Sequence, residues 1–213
     1  MAGLQAIAGH GDDAIATLLP LLEVSRKLEP SSRSLVRAMF SRVMQDVGLS
    51  TARFVLDTAP VSPAMRARLA SSLALGIGGE AGVRHLLTIE ASYFVGASAG
   101  QSLGDFLPLE RERGQLLRRS LNLAGPFLYN RCRTVNAHGA LAAELQEFAA
   151  RRDLAGLKRA QNLFYGDQSR PRFKNFMGNY LVGAIVPAYG KVVDAYWKIE
   201  DHRTALVARL AKS

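Results

Sequence analysis

Three short stretches of this chain carry residue types that do chemistry. "GASAG", residues 96–100, has G-x-S-x-G spacing with Ser98 at its centre. That spacing can raise a serine hydroxyl on a tight strand-to-helix turn for acyl transfer. "GIGGEA", residues 76–81, has the glycine spacing that lets a backbone approach a dinucleotide pyrophosphate. "SRPRFKNF", residues 169–176, interleaves Arg170, Arg172 and Lys174 with Phe173 and Phe176, pairing cations with rings on which bases could stack.

Each motif needs a setting. The serine elbow requires a strand before Ser98, and "HLLTIEASYFV" reads mainly as helix, so a Ser98 hydrolase is the last of the alternatives. The pyrophosphate loop requires a preceding strand in a βαβ unit. Here "RARLASSLALG" has a helical pattern, and the glycines read as a loop between helices. In the third stretch the two rings can staple an incoming loop to the core while the cations stay hydrated.

Metal and thiol chemistry find little support. The histidines, His10, His85, His138 and His202, form no HExxH or HxxxH pair, and no metal or cofactor is expected. Cys132 is the single cysteine, which excludes an intramolecular disulfide. Set between Arg131 and Arg133, it reads as a buried structural thiol.

The elements behind these residues follow from composition and periodicity. Hydrophobic residues make up 48% and charged residues 21% of 213, ordinary values for a folded chain rich in Ala, Leu and Arg. The net charge of +9 is unevenly placed: residues 1–106 hold nine basic and nine acidic residues, residues 107–213 eighteen and nine. Such a field favours an acidic protein or an anionic membrane surface, with nucleic acid as the competing partner. The candidate anion- or partner-binding residues are Arg118, Arg119, Arg131, Arg133, Arg170, Arg172 and Lys174. Arg111, Arg113, Arg118 and Arg119, then Arg131 and Arg133, then Arg151, Arg152, Lys158 and Arg159 would make one basic face if their helices pack side by side. No helix-turn-helix, RNP or zinc-finger pattern accompanies them, and no small-molecule substrate is indicated.

Asp12 and Asp13 are placed to cap a helix over "AIATLLPLLEVSRKL", with Pro20 as its kink or true start. Ser31 and Ser32 are expected to cap "RSLVRAMFSRVMQDV". Its buried stripe would comprise Leu35, Val36, Met39, Phe40, Val43, Met44 and Val47, with Gly48 as the stop. Ser62–Pro63 opens a further helix, and Asp153 caps "DLAGLKRAQNLFY". Helices are also expected at "TARFVLDTA", "VRHLLTIEASYFV", "LERERGQLLRRSLNLA" and "HGALAAELQEFAAR". Toward the C-terminus, Leu181, Ile185, Ala188, Val192, Ala195, Ile199, His202, Leu206 and Arg209 recur in steps of four and three, predicting a long helix bent at Pro187. The uncharged run Asn175–Gly190 is sixteen residues, short of the roughly 20 a spanning helix needs, and is expected to pack in the core.

The expected architecture is all-α, with eight to ten helices in antiparallel hairpins and a long bent C-terminal helix. Residues 1–95 form a net-neutral half, 96–108 a Gly/Ser-rich connection, and 109–213 a basic half packed on the first as one globular unit. "RSLVRAMFSRVMQDVGLSTARFVLDTAPVSPAMRARLASSLA", "FLYNRCRTVNAHGALAAELQEF" and "NFMGNYLVGAIVPAYGKVVDAYWKIEDHRTALVARL" are similar to segments of a group of uncharacterised bacterial all-helical proteins. The resemblance covers about half of the chain in three patches. It implies an all-α fold and structural importance for Asn130, Arg133, Asn136, Gly178 and Asn179. Members often carry an N-terminal membrane anchor, which implies a periplasm-facing envelope domain where such an anchor precedes this sequence, and a cytoplasmic one otherwise. The expected function is a non-enzymatic helical interaction or scaffold domain.

Overall fold

The computed structural model describes residues 1–74, 78–99, 129–168 and 176–212, with the side chains of 97–99, 163–168 and 176–188 outside the description. The fold is all-α: eight helices and no strand among the described residues. They are α1 (Ala2–Ile7), α2 (Gly11–Leu28), α3 (Leu35–Thr58), α4 (Pro63–Ala74), α5 (Gly79–Ala99), α6 (Arg131–Ala150), α7 (Leu154–Gln168) and α8 (Phe176–Leu210). The chain divides into two compact units, one made of Met1–Gly82 with Asp194–Ser213, the other of Val83–Val193.

The first unit is built on α2. Of the apolar residues at helical spacing, Ile15, Leu18, Leu19 and Leu22 are buried, whereas Leu28 in the last turn is half-buried. Asp12 and Asp13 lie in the first helical turn rather than at the cap, which is His10. Asp12 instead reaches the start of α4, its Oδ1 accepting from the Ser62 amide at 2.8 Å. The helix runs through Pro20, because apolar residues on both sides of the proline are held in one core with Leu49, Ala52, Val55, Leu69 and Leu206.

α3 differs most from its sequence reading. It is capped by Ser34, whose hydroxyl accepts from the Arg37 amide at 3.4 Å. Gly48 does not stop it, and the "TARFVLDTA" segment is its continuation. Its buried face is Ala38, Ser41, Arg42, Gly48, Leu49, Ala52 and Val55. The expected stripe is turned outward, with Val36, Phe40, Val43 and Val47 all exposed. Small residues face α2 because the two helices approach closely: a Cβ on Gly48 would sit 2.5 Å from Leu22 Cδ2. At the same contact, the Ser41 hydroxyl donates to the Ser25 carbonyl, and the Ser25 hydroxyl to the Leu22 carbonyl at 2.9 Å.

α4 begins as predicted, with Pro63 in its first position and the Ser62 hydroxyl accepting from the Met65 amide at 3.3 Å. In α8 the described buried positions are Tyr189, Val193, Tyr196, Trp197, Ile199, Glu200, Leu206 and Leu210. Ile199 and Leu206 belong to the expected seam, but the dominant row, 189-193-196-200, lies one residue C-terminal to it and carries a carboxylate.

In the second unit α5 and α6 run antiparallel, joined by Arg84 to Glu147, by Gln146 to Thr88 at 3.2 Å, and by the Phe94 ring stacked on His138. α6 starts at Arg131, seven residues before the expected helix, because the Asn130 side chain caps it, accepting from the Arg133 amide at 2.9 Å. Asp153 caps α7 as predicted, accepting from the Gly156 amide at 2.7 Å.

Two glycines separate close packing from helix propensity. A Cβ on Gly11 would meet the Pro60 carbonyl oxygen at 2.2 Å, whereas one on Gly139, inside α6, meets nothing within 4 Å. Gly11→Ala should lower unfolding free energy by about 1–3 kcal/mol. Gly139→Ala should raise it by about 0.5–1 kcal/mol. Urea titrations followed by circular dichroism read both signs.

Candidate functional site

The densest polar constellation surrounds Arg42, which is 2% exposed. One of its terminal nitrogens, Nη2, pairs with Glu29 at the end of α2, and Nη1 lies 3.3 Å from Gln45 Oε1 and 3.9 Å from Glu200 Oε2. Gln45 Nε2 donates in turn to the other Glu29 oxygen at 3.0 Å. The guanidinium stacks over the Tyr196 ring, 4.2 Å from its centroid, so the positive charge meets the negative face of the ring. The Tyr196 hydroxyl donates to the Gly79 carbonyl at 2.9 Å. Burial pushes that hydroxyl's pKa up to about 12, against the opposing charge of Arg42.

Glu200 links this group to a second arginine. Arg203 grips it through Nη2 at 2.6 Å and Nε at 3.1 Å, and donates from Nη1 to the Leu73 carbonyl at 2.8 Å. The Gly79 amide adds a donor at 3.2 Å. Burial alone would raise the Glu200 pKa; the hydrogen bond and charge of Arg203, the charge of Arg42 and the Gly79 amide together hold it below its ordinary value. A cavity of about 40 Å³ opens among Arg26, Glu29, Arg42, Ser72, Glu200 and Arg203. Ligand pockets run to about 300–1,000 Å³, so this space is too small for an organic substrate. The charges are turned on one another, and the cluster serves to join α2, α3, α4 and α8 within their unit.

The second unit buries a neutral pair. His138 Nε2 lies 3.2 Å from the Tyr189 hydroxyl, and its ring stacks on Phe94 with centroids 4.0 Å apart. Burial lowers the His138 pKa to about 4 and raises that of Tyr189, so both are uncharged at neutral pH.

Of the basic residues singled out in the sequence, Arg131 and Arg133 are exposed on the first turn of α6. Arg118, Arg119, Arg170, Arg172 and Lys174 lie outside the described residues, as does the helix expected at "LERERGQLLRRSLNLA". Arg151 and Arg152 follow the other end of α6, about 30 Å from Arg131 at 1.5 Å per residue, so that helix does not gather the two clusters. Arg151 pairs with Glu147 at 3.7 Å and Arg159 with Asp153 at 3.7 Å. Cys132 is exposed, not buried, because it falls on the solvent side of the first turn of α6. Ser98 lies within α5, without the strand a nucleophile elbow requires. Of "GIGGEA", Gly78 is coil and Gly79, Glu80 and Ala81 already belong to α5, while Gly76 and Ile77 lie outside the described residues. Among the described residues no group of three or more His, Cys, Asp or Glu side chains could hold a metal, and no helix is long and apolar enough to cross a membrane.

Sequence reasoning missed the Arg42 cluster. A signal was present in the row Ala38, Ser41, Gly48 and Ala52, small residues at helical spacing that mark a close helix approach on the face carrying Arg42. Compared with known proteins, the chain matches no protein-family model, no curated protein and no solved structure.

Arg42→Ala would leave the buried Glu29 carboxylate without its cation and should cost about 3–5 kcal/mol. Arg84→Ala, which breaks the more exposed pair with Glu147 (2.6 Å), should cost much less. Thermal or urea unfolding of the two variants compares them directly. His138 sets a pH dependence. Its pKa is depressed from 6.5 to about 4 in the folded chain, so between these values the unfolded state binds the extra proton. Stability should therefore fall as pH drops below 6.5, by about 2 kcal/mol at pH 5. His138→Gln should flatten the profile from pH 7 to 5; an equally steep profile in the variant would refute this assignment.

Proposed function

We propose that the chain is a non-enzymatic helical interaction domain whose Val83–Val193 unit meets a negatively charged partner, an acidic protein or an anionic membrane surface. The observation that carries this reading is the distribution of charge. That unit holds fifteen basic and eight acidic residues, a net of +7, against twelve and ten, a net of +2, in the other. Two of its carboxylates, Glu147 and Asp153, already face arginines at 4 Å or less, while Arg133, Lys158 and Lys191 stand on exposed positions. A surface of this kind attracts anions over about 10 Å and loses that attraction in salt. The resemblance to anchored bacterial helical proteins would put the partner at the cell envelope. Nonspecific nucleic-acid binding is the competing reading of the same charge.

The test is a titration of the full chain against phosphatidylglycerol vesicles, poly-glutamate and labelled single-stranded DNA, each at 50 and 300 mM salt. Binding to vesicles or poly-glutamate should appear at low salt, weaken at least about tenfold at high salt, and weaken as much in R133E/K158E. Tight binding to DNA alone would replace the proposal with the nucleic-acid reading. No binding to any of the three would reduce the charge to a solvated surface.

A further inference from the structure

The outward face of α3 is ordered like the seam of a coiled coil. Val36, Phe40, Val43, Val47, Ser50 and Phe54 follow one another in steps of four, three, four, three and four. All six are exposed, the apolar five by 80, 60, 53, 55 and 43%. An apolar row of this length is not a scatter of single surface residues, and it marks a contact surface. Asp57, in the last turn, extends the row by one step, and Arg33, ahead of the Ser34 cap and outside the helix, flanks its other end; both are exposed.

We infer that this face pairs with the same face of a second copy, the two α3 helices running antiparallel about a twofold axis near Gln45. In that register residues whose numbers sum to 90 are opposite each other. Val36 then faces Phe54, Phe40 faces Ser50, Val43 faces Val47, and Arg33 comes to the end of the row that holds Asp57 of the copy. Each large ring meets a smaller side chain and each terminal charge meets its opposite, so the row is complementary to itself only when reversed. A parallel pairing would stack Phe40 on Phe40 and set Arg33 against Arg33. Two such rows bury on the order of 1,000 Å² in total, the lower limit for a specific interface. One pairing is unfavourable: Asp46 approaches its own copy beside the axis, and each Asp46 has His202 Nδ1 at 3.4 Å. Asp57 also carries Arg209 at 2.6 Å, so the terminal ion pairs guide register more than they add affinity. This inference is independent of the charged partner surface on the other unit, and either can fail alone.

Light scattering of the full chain should give twice the 23.1 kDa chain mass at micromolar concentration. Val43→Asp, an exposed change that leaves the core intact, should return it to the chain mass with unchanged circular dichroism. In a Cys132→Ser background, Val36→Cys and Phe54→Cys should cross-link when mixed and oxidised, and neither should do so alone. A chain that stays monomeric to about 100 µM, or a dimer indifferent to V43D, would overturn the proposal. Self-cross-linking of V36C would overturn the antiparallel register.

Discussion

A single buried guanidinium organises the first unit. Arg42 could not be taken out of water without compensation, and compensation comes from three directions: Glu29 from α2, Glu200 and the Tyr196 ring from α8, and Gln45 from its own helix. Glu200 passes the constraint on, through the Gly79 amide to the start of α5 and through Arg203 to the last turn of α4. Buried networks of this kind specify arrangement more than they add stability, because a shifted helix leaves several charges unpaired at once.

The same cation fixes the rotation of α3. Once Arg42 points inward, the 100° step of the helix also brings Ala38, Ser41, Gly48 and Ala52 inward, all small enough for the close contact with α2. Val36, Phe40, Val43 and Val47 are then carried to the outside. An amphipathic helix has two possible inward faces, and hydrophobicity alone favours the one with the larger side chains. Here the smaller face won, because close approach to α2 and the charge cluster both required it.

That competition explains what could be read from the sequence. The all-α class, the Ile15-Leu18-Leu19-Leu22 core of α2, the Ser62–Pro63 start of α4 and the Asp153 cap of α7 were legible, since each rests on neighbours along the chain. The inward face of α3, its passage through Gly48, and the one-residue displacement of the α8 row were not. Each depends on a partner far away in sequence: Gly48 on Leu22, Glu200 on Arg42 and Gly79. Cys132 misled for a related reason. Cysteines are usually buried, but the cap at Asn130 extended α6 backward and fixed the thiol on its solvent side.

α8 is a single helix, yet its residues up to Val193 belong to one unit and those from Asp194 to the other. The unit that opens the chain is therefore discontinuous. As the chain is synthesised, Arg42 and Glu29 emerge long before Tyr196, Glu200 and Arg203. At about 5–20 residues per second the intervening 111 residues take on the order of 5–20 seconds to make. During that interval the inward face of α3 has α2 against it but not α8, and Arg42 has Glu29 but neither Glu200 nor the Tyr196 ring. Completion of the Arg42 cluster therefore waits on residues made after the whole of the intervening unit.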